Sequence, residues 1–126
     1  MQLNSDGTKP IYVQIAEWLE NEIIADQLRT DDKVYSQYQL AELFNINPAT
    51  AGKGLTLLLE EQIVYKKRGL GMFVTTEAKQ MILVKRRNER LTTMVQEIVL
   101  EARRLMVSED ELIELIKCAR SGEERK

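Results

Sequence analysis

The chain contains no histidine, which removes the commonest general base and the commonest metal ligand. Paired carboxylates could in principle supply catalysis without it. Cysteine occurs once, as Cys118, so an internal disulfide framework is excluded and a reducing cytoplasm fits. Cys118 itself reads as a small apolar filler on a helix. No apolar run approaches the roughly 18 residues of a membrane span. The opening stretch MQLNSDGTKP lacks the charged start and apolar core of a secretion signal. No glycine-rich phosphate loop follows a strand pattern, and no nucleophile elbow is present. The expectation is therefore no catalytic residue, no metal, no cofactor, no membrane partner and a cytoplasmic location. With 44% apolar and 30% charged residues, the 126-residue chain can form one modest globular domain, or a small domain with an appendage.

What the chain does have is a pattern centred on residues 36–59, SQYQLAELFNINPATAGKGLTLLL. Ser36 and Gln39 fit a capping box, in which each side chain satisfies an open amide of the first helical turn. Leu40, Leu43 and Phe44 recur at helical spacing and predict one apolar face. Asn45 tolerates the left-handed conformation at which helices often stop. Ile46 plugs the turn. Asn47 then Pro48 is an N-cap followed by the one helical position that suits proline. Ala51, Leu55, Leu58 and Leu59 predict the inward face of a second helix, and Ala41 is small where the two helices must meet. The outward face, Ala49, Thr50, Gly52, Lys53 and Thr56, is small and polar with one cation. Two short helices with this spacing predict a helix-turn-helix whose second helix suits a DNA groove; a plain helical hairpin fits the stretch as well.

The formal net charge of −2 gives DNA binding no global support. Residues 1–76 carry seven Lys or Arg against ten Asp or Glu, and residues 77–126 carry eleven against ten. Local clustering matters more for phosphate contact. Cations gather at Lys66, Lys67 and Arg68, and again at Lys85, Arg86, Arg87 and Arg90. Acids gather at Glu17, Glu20, Glu22, Asp26, Asp31 and Asp32. One basic and one acidic face are expected.

In chain order, about seven polar residues open the chain and are expected to be disordered. Pro10 is expected in the first turn of a helix running to about Asp26, with Ile11, Ile15, Trp18 or Leu19, and Ile23 as its inward stripe. Tyr12 and Gln14 lie off that stripe. Lys33 and Val34 suit a one-bridge strand. Beyond the helix-turn-helix, residues 63–65 and 72–75 read as two strands. The tip between them is Lys66, Lys67, Arg68, Gly69, Leu70 and Gly71, whose glycines permit positive φ and leave the backbone bare. A hairpin placed there is a wing suited to phosphate or minor-groove contact.

Three blocks, PIYVQIAEWLENEI, SQYQLAELFNINPATAGKGL and YKKRGLGMFV, appear in this order. Together they resemble the GntR superfamily of bacterial winged-helix regulators over residues 9 to about 76. The short tail and the INP-x-T block resemble its YtrA-like branch, which lacks the large effector domain of its relatives. The resemblance implies a homodimeric repressor that binds an inverted-repeat operator in double-stranded DNA. In that branch the regulated genes often serve transport or the cell envelope. Ser36 matches the family's helix start, and Thr50, Lys53, Gly69 and Gly71 match pattern positions. The departures are also specific. Tyr35, Ser36, Gln37 and Tyr38 stand where the family has Pro-Ser-x-Arg, so Tyr38 replaces a contact arginine. Pro48 and Gly52 occupy places where many members carry arginine, and Gln62 replaces a family glycine. The DNA-binding candidates are Ser36, Gln37, Tyr38, Asn47, Ala49, Thr50, Lys53, Lys67, Arg68, Gly69 and Gly71.

From Glu77 a long helix is expected to run to about Met106. Met81, Val84, Asn88, Leu91, Val95, Ile98, Ala102 and Leu105 alternate in steps of three and four, a heptad seam with one polar member. Met94, Val99 and Met106 widen it. Ser108 and Glu111 fit a second capping box before a last helix that carries Leu112, Ile113, Leu115, Ile116 and Ala119 and stops at Gly122. Two helices cannot bury that much apolar surface against each other, whereas a second copy can. Leu91, Val95, Ile98, Ala102, Leu105, Leu112 and Ile116 are the candidate dimer residues; folding of both helices back onto the winged domain is the other arrangement. The sequence thus predicts a mainly α fold with a small β-hairpin. A winged helix-turn-helix DNA-binding domain, residues 9–76, precedes a two-helix dimerisation region, residues 77–126. A winged-helix protein-interaction module with a coiled-coil scaffold tail is the competing reading. A small-molecule effector is left undetermined.

Overall fold

A computed structural model describes Leu3 and residues 8–122. The disordered opening expected over the first seven residues lies, Leu3 apart, outside the described residues. The chain divides into two compact units, Met1–Lys85 and Arg86–Lys126.

In the first unit Pro10 is the N-cap of α1 (Ile11–Ile24) rather than a member of its first turn. Its carbonyl accepts from the Val13 and Gln14 amides, both at 3.2 Å. Ile15, Leu19 and Ile23 are fully buried as their spacing predicts, with Ile11 and Trp18 half-buried beside them. Helix α2 (Gln37–Phe44) begins with the expected capping box. The Gln39 amide donates to Ser36 Oγ at 3.1 Å, and the Ser36 amide donates to Gln39 Oε1 at 2.8 Å. It ends at Asn45, whose φ of 55° is left-handed. Leu40 and Ala41 are buried, but Leu43 is 44% exposed, so the apolar face of α2 is narrower than its spacing predicts. Helix α3 (Pro48–Glu60) starts from Asn47, whose Oδ1 accepts from the Ala49 amide at 2.7 Å.

The crossing of α1 and α3 depends on Gly54. A Cβ there would lie 2.9 Å from the Tyr12 carbonyl oxygen and 3.0 Å from Ile15 Cγ2. Any side chain would force the helices apart, so the absence of one sets how deeply Ile15, Leu19, Leu55 and Leu58 interlock.

Strands β1 (Val64–Lys67) and β2 (Gly71–Val74) pair antiparallel, with Val64 opposite Val74 and Lys67 opposite Gly71. The hairpin therefore reaches further than expected. Lys66 and Lys67 are strand residues, and only Arg68, Gly69 and Leu70 form the tip. The chain enters β1 through Gln62 at φ 62°, a left-handed value that ordinarily favours glycine. Residues 31–34 line the free edge of β2: the Asp31 and Val34 amides donate to Val74 and Met72, both at 2.8 Å, and Lys33 bridges Phe73.

Helix α4 (Ala78–Arg86) places Ala78 and Ile82 in the core of this first unit, fully buried. Near it lies the one buried charged residue among those described, Glu20, at 2% exposure. Lys85 pairs with Glu20 and, at 2.7 Å, with Glu61. Burial of the ammonium is the largest influence on Lys85 and lowers its pKa; the hydrogen bonds to Glu20 and Glu61 outweigh it and leave the pKa above the ordinary lysine value. Glu20 is thus not part of a solvated acidic face, and Lys85 is not a member of a free basic cluster. Asp26 likewise pairs with Lys79 at 3.1 Å.

In the second unit the expected uninterrupted helix is broken in its hydrogen bonding. Arg87–Leu91 form a π turn, and α5 (Thr92–Arg104) follows. The steps of three and four assume α geometry, which the π turn interrupts at Asn88 and Leu91. Helix α5 stops at Leu105, with Met106 at φ 58°. Helix α6 (Glu109–Ser121) is capped by Ser108, whose Oγ accepts from the Glu111 amide at 3.2 Å, and ends at Gly122 with φ 78°. Ala102 is covered at 9% exposure, so it does not belong to an open stripe. Leu91, Val95, Ile98, Leu105 and Ile116 are 44–68% exposed, and Leu112 is half-buried.

Candidate nucleic-acid interface

The outward side of α3 follows from its inward side. With Ala51, Gly54, Leu55 and Leu58 buried, Ala49, Lys53 and Thr56 are exposed and Thr50 half-exposed. An open trough runs along this side, lined by Tyr12, Gln37, Ala49, Gly52, Lys53, Thr56, Leu57 and Glu60. Ala49, Gly52 and Thr56 are its small members, and they leave room for close approach of a duplex between the longer side chains. Glu60, at the C-terminal end, opposes phosphate, so the first two turns of α3 are the part that suits DNA.

The capping network fixes what several candidates can offer. Ser36 Oγ and the Gln39 side chain already satisfy the first turn of α2. Ser36 is left with its hydroxyl proton to donate. Asn47 Oδ1 is committed to the Ala49 amide. The paired donor and acceptor that asparagine uses on adenine are therefore not both open, and Nδ2 is what Asn47 can present. Tyr38 is 68% exposed at the start of α2.

Gln37 has a different place from the one its sequence position implies. A Cβ on Gly52 would lie 3.0 Å from Gln37 Oε1. Gly52 therefore makes room for the Gln37 side chain, which lies across α3, rather than for the duplex itself. Lys53 is also engaged: its Nζ lies 5.8 Å from the centre of the Tyr12 ring. Such a contact is worth about 0.5–1 kcal/mol at an exposed site, so a base or phosphate can draw the ammonium away. Tyr12 borders the trough from α1, which its position off the apolar stripe left unassigned.

The wing presents a second group. Gly69 has φ 79° within a turn closed by the Leu70 amide donating to the Lys67 carbonyl at 3.0 Å, and Arg68 is exposed beside it. Lys67 Nζ lies 4.7 Å from the centre of the Phe73 ring and 5.8 Å from that of Tyr65. Those two rings stack with centres 5.8 Å apart. The Tyr65 hydroxyl donates to Asp31 Oδ1 at 2.7 Å, and this hydrogen bond, the largest influence, raises the Tyr65 pKa and keeps the phenol neutral. Among the described residues no cluster of side chains could hold a metal ion, and no helix is long and apolar enough to cross a membrane.

No family model matches the chain. Individual proteins do. The chain is 29% identical over 117 residues to the uncharacterised HTH-type transcriptional regulator YhcF of Bacillus subtilis, spanning 92% of this chain and 94% of YhcF. It is 32% identical over 83 residues to the HTH-type transcriptional repressor NagR of the same organism, spanning 66% of this chain but only 34% of NagR. The chain thus covers about a third of NagR and nearly all of YhcF. Among solved structures, a GntR family transcriptional regulator from Listeria monocytogenes superposes with a TM-score of 0.71 at 28% identity, covering 89% of this chain and 96% of that one. The DNA-binding domain of AraR in complex with operator ORE1 superposes with a TM-score of 0.52 at 26% identity, over 58% of this chain and 89% of that one. These relatives are regulators, not enzymes. In its winged helix-turn-helix fold and the order of its sequence blocks, the chain is similar to transcriptional regulators of the GntR family.

Proposed function

We propose that the protein is a homodimeric repressor that binds an inverted-repeat operator in double-stranded DNA. The observation that carries this reading is the first half of α3. Its exposed side is small and polar, its Lys53 is held only by a ring, and no acid of its own helix intrudes before Glu60. In this reading residues 9–76 supply the DNA contacts. Thr50 and Lys53 meet base edges, Ala49 meets a thymine methyl, and Asn47, Ser36, Gln37 and Tyr38 set the register on phosphates. Lys67, Arg68, Gly69 and Gly71 anchor the wing on the backbone. The AraR domain in complex with its operator supports this use of the fold.

The dimer rests on the second unit. Ile98, Val95, Leu91, Leu105 and Ile116 leave 44–68% of their surface uncovered, far more apolar surface than a short monomeric helix pair tolerates. A second copy covers it by two-fold pairing, and two recognition helices then demand two half-sites. Genes of transport or the cell envelope are the class of target that the YtrA-like resemblance favours. The test is a binding selection from random duplexes with the full chain, followed by titration of the winning sequence against random DNA at two salt concentrations. An enriched palindrome bound with a steep salt dependence is expected. No enrichment, with affinity indifferent to salt, would instead support a protein-interaction module.

A further inference from the structure

We infer that Lys33 and Lys67 form one phosphate-binding pair on the outer face of the wing, so that a residue from the loop before the helix-turn-helix contacts DNA. The inference rests on the DNA-binding reading above and adds a residue to it.

The hairpin register decides which face each residue takes. Tyr65 pairs with Phe73 and Lys67 with Gly71, so these four share one face; Val64, Lys66, Met72 and Val74 share the other. Val64 and Val74 are buried at 1%, which turns their face to the core and the Lys67 face to solvent. The outer face is floored by the stacked Tyr65 and Phe73 rings, with the Lys67 ammonium over Phe73.

Lys33 arrives on the same face from the edge of β2. Its backbone bridges Phe73, and its side chain runs over Gly71. Lys33 Cε lies 3.1 Å, and Nζ 3.9 Å, from where a Cβ on Gly71 would stand. Gly71 thus does more than turn the chain at φ 114°: it leaves a channel for the stem of Lys33. Two exposed ammonium groups, one laid over an aromatic ring and one over bare backbone, end beside the tip. The acid on this face, Asp31, is occupied by the Tyr65 hydroxyl. Fixed stems reduce the entropy lost when each ammonium meets a phosphate oxygen.

Titration of the full-length protein with its selected operator and with a random duplex, between about 50 and 200 mM salt, tests the pair. Lys33→Gln is expected to weaken both DNAs by a similar factor and to reduce the salt slope by about one, as one phosphate contact requires. Lys33→Arg should restore the slope, and Lys33→Gln with Lys67→Gln should remove about two. Lys33 is exposed, and unchanged thermal unfolding of Lys33→Gln will show that the fold is retained. If Lys67→Gln lowers the slope and Lys33→Gln does not, the inference is overturned while the DNA-binding reading stands. If the wild-type protein shows no salt-dependent binding at all, both fall together.

Discussion

Replacing a helical glycine by alanine ordinarily strengthens a helix by about 0.8–1 kcal/mol. At Gly54 the sign should reverse. The new methyl would stand 2.9 Å from the Tyr12 carbonyl oxygen, and 3.0 and 3.1 Å from Ile15 Cγ2 and Cβ. The oxygen belongs to the backbone of α1, and Ile15 is fully buried, so neither can step aside. Overpacking of this kind costs about 1–3 kcal/mol, and a rigid backbone neighbour places Gly54→Ala near the upper end. Set against the helical gain, the net loss should be about 1–2 kcal/mol. Gly52→Ala is the internal control. Its methyl would meet Gln37 Oε1 at 3.0 Å, the far end of a flexible side chain that can swing away. Stability should hold or rise slightly there, and the displaced Gln37 should show itself in operator binding. Urea unfolding at one fixed protein concentration measures both, the concentration being held because the midpoint of the proposed dimer would depend on it. A Gly54→Ala protein as stable as wild type would mean that α1 and α3 do not cross as closely as described, and would refute the reasoning.

The remaining predictions follow from other parts of the chain. Lys85→Met should destabilise by about 3 kcal/mol, the low end for breaking a buried pair because Lys85 and Glu61 are each about 30% exposed; Glu20→Leu added to it should recover much of the loss, and a single variant as stable as wild type in urea would show that the pair is idle. Since pairing raises the Lys85 pKa, its contribution should persist below the ordinary lysine value and vanish as pH climbs through the raised one. Thr50→Ala should cost about 1 kcal/mol or more on the operator and little on random DNA; equal losses in paired titrations would make Thr50 a phosphate contact, and no loss would remove it from the interface. Ile98→Glu, at a position 44% exposed in the single chain, should convert the proposed dimer to monomer in analytical ultracentrifugation; a dimer of undiminished affinity would place the interface elsewhere.

The parts of the fold that could be read in advance are those set within four residues. Ser36 with Gln39, Asn45, and Asn47 with Pro48 fix their helix ends through bonds between near neighbours, so their spacing is nearly their structure. The hairpin was legible for the same reason, though strand pairing carried it further, to Lys67 opposite Gly71. What escaped depends on distant partners. Glu20 and Lys85 are 65 positions apart, and each looked like an ordinary surface charge. Gly54 had no role assigned from its neighbours in sequence; its place against the Tyr12 carbonyl gives it one. Leu43 had the right spacing for the core but lies on the side of α2 that nothing covers. Helix α4 read as the start of the tail, yet Ala78 and Ile82 complete the core of the first unit. Of the DNA candidates, exposure was foreseen at Ala49, Lys53 and Tyr38; the engagement of Gln37 by Gly52, of Lys53 by Tyr12, and the arrival of Lys33 at the wing were not.

Trp18 is the only tryptophan in the chain, and it meets Phe44 edge-on at 5.1 Å and Tyr35 at 5.6 Å. Its emission therefore comes from one place, the joint between α1 and the segment that leads into and through α2. Excited at the red edge of the spectrum, the intact protein should report the wetting of that joint. A shift in emission on adding DNA would place a response at that joint without any label.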